Sequence, residues 1–248
     1  MSARQATRQR VRQALIIFSF LLFPVIMNYL SPYVIIDGAS QGIINGSFVS
    51  FALMFVSALF VGRLWCGWAC PGGGLQEICF AITDKPARRG RRDWIKWLIW
   101  IPWLAIIAVL AILAGGYRRV DLLHLTDRGI SVMEPFSYIT YYLVIGVFVV
   151  LSLLAGRRAG CHYICWMAPF MILGRKIRNP LAWPALRLRA ETDHCISCRK
   201  CTANCPMSLD VNGMVQRGAM EHSECVLCGT CVDVCPKDVI RYSFSAGK

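Results

Sequence analysis

Eight of the chain's thirteen cysteines lie between positions 195 and 235, in two runs of one spacing. Cys195, Cys198 and Cys201 have two residues between neighbours; Cys205 follows after three, and Pro206 comes next. Cys225, Cys228, Cys231, Cys235 and Pro236 repeat the run without deviation. Thiolates spaced this way suit an iron–sulfur cubane: three on one tight loop wrap a face of it, and the fourth reaches the cluster of the other loop. The spacing predicts one [4Fe–4S] cluster on Cys195, Cys198, Cys201 and Cys235, and a second on Cys225, Cys228, Cys231 and Cys205. Zinc sites more often present C-x2-C pairs divided by a spacer. Covalent haem needs C-x-x-C-H, which the chain lacks.

The run is that of bacterial two-cluster ferredoxins, so a small α+β domain of that type is expected over 192–248. Arg199, Lys200 and Lys237 stand beside the loops. They would favour the reduced, more negative cluster, stand as solvated charges, or form a docking rim for an acidic partner.

Four further cysteines form two pairs. Cys66-Gly-Trp-Ala-Cys70 and Cys161-His-Tyr-Ile-Cys165 share a C-x3-C spacing and are offset by 95 residues. On a helix, positions i and i+4 share a face, so each pair is expected to present both sulfurs together. Four converging thiolates could hold a third iron–sulfur cluster, [2Fe–2S] or [4Fe–4S], or a thiophilic metal such as copper. A pair of cycling dithiols and plain buried small residues are the other readings. Cys79 has no partner and reads as a buried apolar residue. His162 is a candidate ligand or a satisfied interfacial side chain, and Glu77 a candidate acceptor of quinol protons or a cytoplasmic charge. Asp121, His124 and Glu134 fall in a loop on the opposite side. No nucleophile–base–orienter set is visible, so no catalytic residue is assigned.

The elements that must position these residues lie in a membrane. The chain is 56% apolar and only 17% charged, against about a quarter charged in soluble domains. Ala14–Ile36, Gly38–Gly62, Trp97–Tyr117 and Pro135–Gly156 contain no Asp, Glu, Lys or Arg, and a spanning helix needs about 20 consecutive apolar residues. Pro24 is expected to kink the first. Its length and the absence of a small-residue cleavage site make it an uncleaved anchor. Arg4, Arg8, Arg10 and Arg12 precede it, seven cations lie between Arg63 and Lys96, and Arg157, Arg158, Arg175, Lys176 and Arg178 follow the fourth stretch. The positive-inside rule then puts both termini in the cytoplasm of a prokaryote, with the chain in the inner membrane. Trp65, Trp68, Trp94, Trp97 and Trp166 fall at the cytoplasmic ends, as an aromatic belt would. A quinone-stacking role for Trp94, Trp97, Trp100 and Trp103 is the alternative. The apolar run 161–174 is too short to span and is expected at the interface or as a dip into it. The net charge of +13 does not imply nucleic acid, because the cations flank apolar runs and no binding motif occurs.

The fold class expected is a membrane all-α domain, residues 1–178, with about four transmembrane helices in two repeated hairpins. A linker, 179–191, and the ferredoxin domain, 192–248, follow. Residues 210–224 are expected to form a short helix or turns between the cluster loops.

Arg63-Leu-Trp-Cys66-Gly-Trp-Ala-Cys70-Pro71-Gly-Gly-Gly-Leu-Gln-Glu77 resembles the C-x3-C-P signature of membrane polyferredoxins. That family includes accessory proteins of periplasmic nitrate reductase and nitrous-oxide reductase, and the copper-reducing assembly protein of cbb3-type oxidases. Cys66 and Cys70 take the place of its first motif, Cys161 and Cys165 that of its second. The second departs from the pattern, since Trp166 follows Cys165 and the proline waits until Pro169. The resemblance implies electron transfer between a membrane quinol pool and a redox partner protein, within a multi-subunit complex. A copper or metal reductase serving cofactor assembly, and a membrane anchor or redox sensor, are the alternatives.

Overall fold

Helix α1, Ala3–Leu21, opens the chain in the computed structural model, which describes residues 3–88 and 90–246, residues 3–6 by backbone alone. The first expected span does not run straight. After Leu21 the chain turns by 57° into a helical segment, Phe23–Leu30. Pro24 sits in the first turn of that segment, where its missing N–H and fixed φ are tolerated but break the ladder from α1. Pro32 then starts a separate helix, α2, Pro32–Gln41.

The second expected span is divided as well. Gly42, at φ 68°, ends α2 in the left-handed region that glycine adopts without penalty. A short strand, β1 (Ile43–Asn45), follows, and then helix α3 (Gly46–Val61). The Asn45 side chain caps α3, accepting from the Phe48 N–H at 2.9 Å. At 16 residues, α3 is about 24 Å long, short of a bilayer's core.

The other two apolar stretches each form one helix. Helix α4, Ile95–Leu113, and helix α5, Pro135–Ala155, are each long and apolar enough to cross a membrane. Among the described residues the count is thus two such helices, or three if the bent pair is one span, rather than four. Their outward faces carry exposed Leu98, Ile101, Ile112, Phe136, Ile139, Leu143 and Leu154, an apolar belt far beyond what a water-facing surface carries. The segments joining these helices gather at one end, where β1 pairs in parallel with β2 (Arg119–Asp121). There His124 Nε2 lies 2.7 Å from Asp37 Oδ2.

At the opposite end two short helices, α6 (Leu64–Trp68) and α7 (Ala159–Tyr163), carry the first cysteine of each C-x3-C pair. Helices α8 (Pro71–Ile78) and α9 (Ala168–Arg178) follow the second cysteines. The run 161–174 is thus split between α7 and α9, neither long enough to span, and α9 packs against α3. Gly174 makes that approach close, since a Cβ there would lie 2.8 Å from the Ala58 Cβ.

The ferredoxin domain begins earlier than the composition suggests. Part of the expected linker is strand β3, Ala185–Ala190, antiparallel to the C-terminal strand β4, Ile240–Ser245, from the pair Ala185–Ser245 to Ala190–Ile240. Buried Ala185 and Leu188 close the core from one side, which a free linker would not do. Between the cysteine loops lies the short helix Val211–Gln216, capped by Asp210, whose Oδ1 accepts from the Gly213 N–H at 3.0 Å.

Candidate metal centres

The two ferredoxin loops are copies in backbone as well as sequence, at an offset of 30 residues. Ser197 and Leu227 have φ of 52° and 51°; Arg199 and Gly229 have 55° and 78°; Ser208 and Asp238 have 50° each. Five of these six are not glycine, so the left-handed turns carry a cost of about 1–2 kcal/mol each. Strain of this kind persists where the surroundings over-determine it. Successive N–H groups on such turns form concave nests for anions. One small cavity is lined by Cys205, Cys225, Cys228 and Cys231, another by Cys195, Cys198, Cys201 and Cys235. Each grouping takes three cysteines from one loop and one from the other. The rest of the first lining is apolar, including Leu188, Met214 and Val226, and sulfur is the donor that chemistry leaves.

Burial pushes the Cys205 thiol up to about 12, with Cys228 and Cys225 adding to it. Thiols of that kind ionise only beside a strong cationic centre, which iron supplies. Among the described residues no group of three or more His, Cys, Asp or Glu side chains closes to the spacing of a single metal ion.

The other four cysteines also come together. Cys66, Cys70, Cys161 and Cys165 are all buried. The Cys70 thiol is pushed well up by burial, then by Cys66, Cys161 and Cys165. Burial takes Cys165 up to about 12, with Cys161 and Cys66 adding to it and Arg63 opposing. The pairs do not sit on single helices as the C-x3-C spacing predicts. In each, the first cysteine lies on a short helix and the second beyond its end. The N–H groups of Ala69 and Cys70 both bond the Trp65 carbonyl, and those of Ile164 and Cys165 both bond that of Gly160. The residue before a proline is driven to extended backbone, and Cys70, ahead of Pro71, has φ −77° and ψ 121°. The displaced proline of the second motif costs little: Pro169 still lies in the first turn of α9.

Two arginines repeat with the cysteines. Arg63 and Arg158 each stand three residues before the first cysteine of a pair, at the same offset of 95, and each is fully buried. Burial works against the Arg63 charge, but Glu224, Cys66 and Cys165 outweigh it and raise its pKa. The same balance at Arg158 involves Glu77, Cys161, Cys228 and Cys70. Arg158 Nη1 donates to the Cys66 carbonyl at 2.8 Å. Gln76 Nε2 reaches the Cys161 sulfur at 3.1 Å. Yet Arg63 Nε and Nη2, Arg158 Nε and Trp65 Nε1 are buried without a hydrogen-bond partner. Buried donors are nearly always satisfied, and an anionic group among the four sulfurs would satisfy them.

Buried carboxylates tie this end of the helical bundle to the ferredoxin domain. Glu224 accepts from Arg63 at 2.8 Å and Lys96 at 2.6 Å; burial resists its ionisation, but the two cations hold its carboxyl down at about 2. Glu77 bridges Arg12 and Arg158 at 2.8 and 2.7 Å. Burial again opposes, but Arg158 and Arg12 hold Glu77 below the usual carboxylate range, which makes it a poor proton acceptor. Glu221 pairs with Arg175. His162 is buried, with Asp93 and Glu224 facing Nδ1 at 3.6 and 3.9 Å. Cys79 is buried and enters none of these groupings.

The contact between the two sites is direct. Donors from the N-terminal helical region take the carbonyls of the second cluster loop: Arg63 to Ser223, Arg175 to Cys225, Trp68 to Leu227 and Gln9 to Cys228, at 2.7–3.1 Å. Gly67, inside the first C-x3-C, is pressed on that loop so closely that a Cβ would lie 2.3 Å from the Val226 carbonyl oxygen. Sequence reasoning took Arg63, Lys96 and Arg158 only as positive-inside charges. The repeat at 95 residues was the signal for the two arginines; Lys96 and Glu224 carry none.

Residues 194–240 match the family described as a 4Fe-4S dicluster domain, and residues 46–91 and 138–182 each match one described as a 4Fe-4S binding domain. Two uncharacterized proteins of Methanocaldococcus jannaschii are similar to the chain. One is 23% identical over 93% of this chain and 82% of its own length; the other is 22% identical over 84% and 83%. YccM of Escherichia coli, a protein named for electron transport, is 24% identical over 82% of this chain and 57% of its own length. No solved structure matches. The chain carries 4Fe-4S domains and holds two [4Fe–4S] clusters.

Proposed function

We propose that this iron–sulfur protein is an electron-transfer protein, a membrane relay passing electrons between a quinone-type carrier in the bilayer and a redox partner at the cytoplasmic face. In this reading Cys195, Cys198, Cys201 and Cys235 hold one cluster, and Cys225, Cys228, Cys231 and Cys205 the other. Cys66, Cys70, Cys161 and Cys165 hold a third iron–sulfur centre. Such clusters supply one-electron storage at potentials set by charge, hydrogen bonding and exposure. The observation that carries the reading is the seating of the Cys66–Cys70 loop on the Val226 carbonyl, which leaves no layer of protein or water between the two sites. The bent first helix pair, α4 and α5 cross the bilayer, with α3 completing the bundle. The ferredoxin end faces the cytoplasm with both termini, because the cations crowd that end.

A cavity of about 830 Å³ supports the quinone. It runs between the bend at Phe23, the outer loop at Asp127 and Glu134, and helix α5 at Val144 and Phe148. Its inner wall includes Pro71 and Gly72, next to Cys70, and Trp166 and Met167, next to Cys165. An apolar cleft with a few polar groups is the usual form of a site for an apolar ring. Trp100 and Trp103 are instead buried against Phe170, away from this role. The resemblance to the accessory proteins of periplasmic reductases fits the same reading.

Anaerobic reduction of the purified protein by a short-chain quinol analogue tests it. The clusters should bleach, and the double variant Cys66→Ser, Cys161→Ser should lose that bleaching while dithionite still reduces its ferredoxin clusters. Unchanged quinol-driven bleaching in the variant overturns the relay.

One observation favours a second reading, a copper reductase. The buried Met171 thioether lies 3.3 Å from the Cys66 sulfur, and thiolates with a thioether select copper(I). Copper bound stoichiometrically after anaerobic purification, lost in Cys66→Ser, would favour it.

A further inference from the structure

The two ferredoxin loops share one motif but not one environment. The second, around Cys225, is covered: Val226 and Leu227 are 1% and 2% exposed. Gln9 and Arg8 of α1 close over it, Arg8 pairing with buried Asp233, and Gly67 and Trp68 lie beneath. The first loop faces outward. Ile196 is 58% exposed, Cys198 is exposed, and so are Ser197, Arg199 and Lys200, with Pro236 and Lys237 from the other half. No membrane-domain donor takes a carbonyl between Cys195 and Cys201 among the described residues.

Charge marks the open face. Arg199 and Lys237 line the cavity of the first cluster itself, and Lys200 is adjacent. Gln216 donates to the Ser197 hydroxyl at 3.0 Å, while Arg217 next to it lies toward Gly213 and Asp210. Asp193 and Asp238 are the opposing charges on these loops. Glu191 lies between His194 and Arg241, at 3.8 and 4.0 Å. Three cations, Arg199, Lys200 and Lys237, against two acids stand around an exposed isoleucine beside an exposed ligand cysteine.

We propose that this face, centred on Ile196, docks a soluble one-electron carrier with an acidic surface. The buried second loop is the internal relay to Cys66, Cys70, Cys161 and Cys165. The proposal rests on the relay reading above and adds its order of sites and its cytoplasmic partner. An apolar centre inside a charged rim is how transient redox interfaces combine steering with contact. One electron crosses per encounter: the carrier is oxidised as this protein is reduced, or the reverse, and no covalent bond forms.

The test uses the full chain in detergent, with its iron content verified, and oxidised flavodoxin, a small acidic flavoprotein, as the probe. Binding is read by thermophoresis, so that no electron need move. Kd should weaken at least about tenfold between ~20 and ~200 mM salt, as opposed surface charges require. The triple variant Arg199→Glu, Lys200→Glu, Lys237→Glu should weaken binding at low salt by about tenfold or more. Ile196→Ala should weaken it at all salt concentrations. Arg118→Glu with Arg119→Glu, at the far end, should leave it within about twofold. Should the triple variant lose iron, the salt dependence of the unaltered protein and the Ile196→Ala result still decide. Binding that is absent, indifferent to salt, or weakened equally by the far-end variant overturns the docking face. Quinol-driven bleaching is measured on the same samples: if it persists while binding fails, the docking face alone is wrong; if it is absent from the unaltered protein, the relay reading fails.

Discussion

The ferredoxin loops and the C-x3-C pairs each bring four cysteines together, but they differ in their polar support. In the loops, left-handed turns at Ser197, Arg199, Leu227 and Gly229 leave backbone N–H groups free to face a cavity. Around Cys66 and Cys161 the backbone contributes too, through the N–H groups of Gly73 at Cys70 and Ala168 at Cys165, but buried side chains are added to it: Arg63, Arg158, Gln76 and Trp65. The C-x3-C site thus gathers two fully buried cations, and each brings its own counter-ion, here Glu224 and Glu77.

That contrast is sharpest under substitution. Arg158→Met leaves Glu77 and the sulfurs short of a buried partner, and breaking a buried pair costs about 3–5 kcal/mol. Thermal unfolding in detergent should shift down strongly, whereas Arg199→Met, on the exposed loop, should cost under about 0.5 kcal/mol. Equal shifts would erase the distinction. Gly67→Ala inserts a methyl 2.3 Å from the Val226 carbonyl oxygen. Overpacking of this kind costs about 1–3 kcal/mol, and pulling the two sites apart should slow quinol-driven bleaching of the ferredoxin clusters more than it lowers stability. Gln76→Leu removes one donor to the Cys161 sulfur. Redox titration should find the membrane centre lowered by some tens of millivolts, with the ferredoxin clusters unmoved, because hydrogen bonds to sulfur tune potential locally.

The smallest effect is in acid. The Glu77 carboxyl is held below its ordinary value by Arg158 and Arg12, so the unfolded chain takes up that proton more readily than the folded one. The stabilisation is complete above the ordinary carboxylate pKa of about 4.3 and is lost as pH falls through the lowered folded value. Glu77→Gln should flatten this part of the acid dependence of unfolding.

Sequence spacing proposed the eight ferredoxin cysteines as two sites, and the same two sets of four line the two small cavities, because three-residue steps along a tight loop determine geometry locally. It also revealed the duplication of the C-x3-C pairs. Less was legible where the outcome depended on distant packing. The apolar stretches 14–36 and 38–62 read as single spans, yet Pro24, Pro32 and Gly42 divide them. Arg63 and Arg158 lay in plain view at the repeat distance, but basic residues beside apolar runs have a ready topological explanation. Strand β3 looked like a linker because half of its sheet lies some 50 residues later, at Ile240–Ser245.

The central claim is that Cys66, Cys70, Cys161 and Cys165 form a third iron–sulfur centre seated against the second ferredoxin cluster. Iron and acid-labile sulfide per chain, with EPR of the reduced protein, test it most directly. The account predicts about ten to twelve irons, falling to about eight in Cys66→Ser, Cys161→Ser with the ferredoxin signals retained. About eight irons in both proteins, with identical spectra, would contradict it.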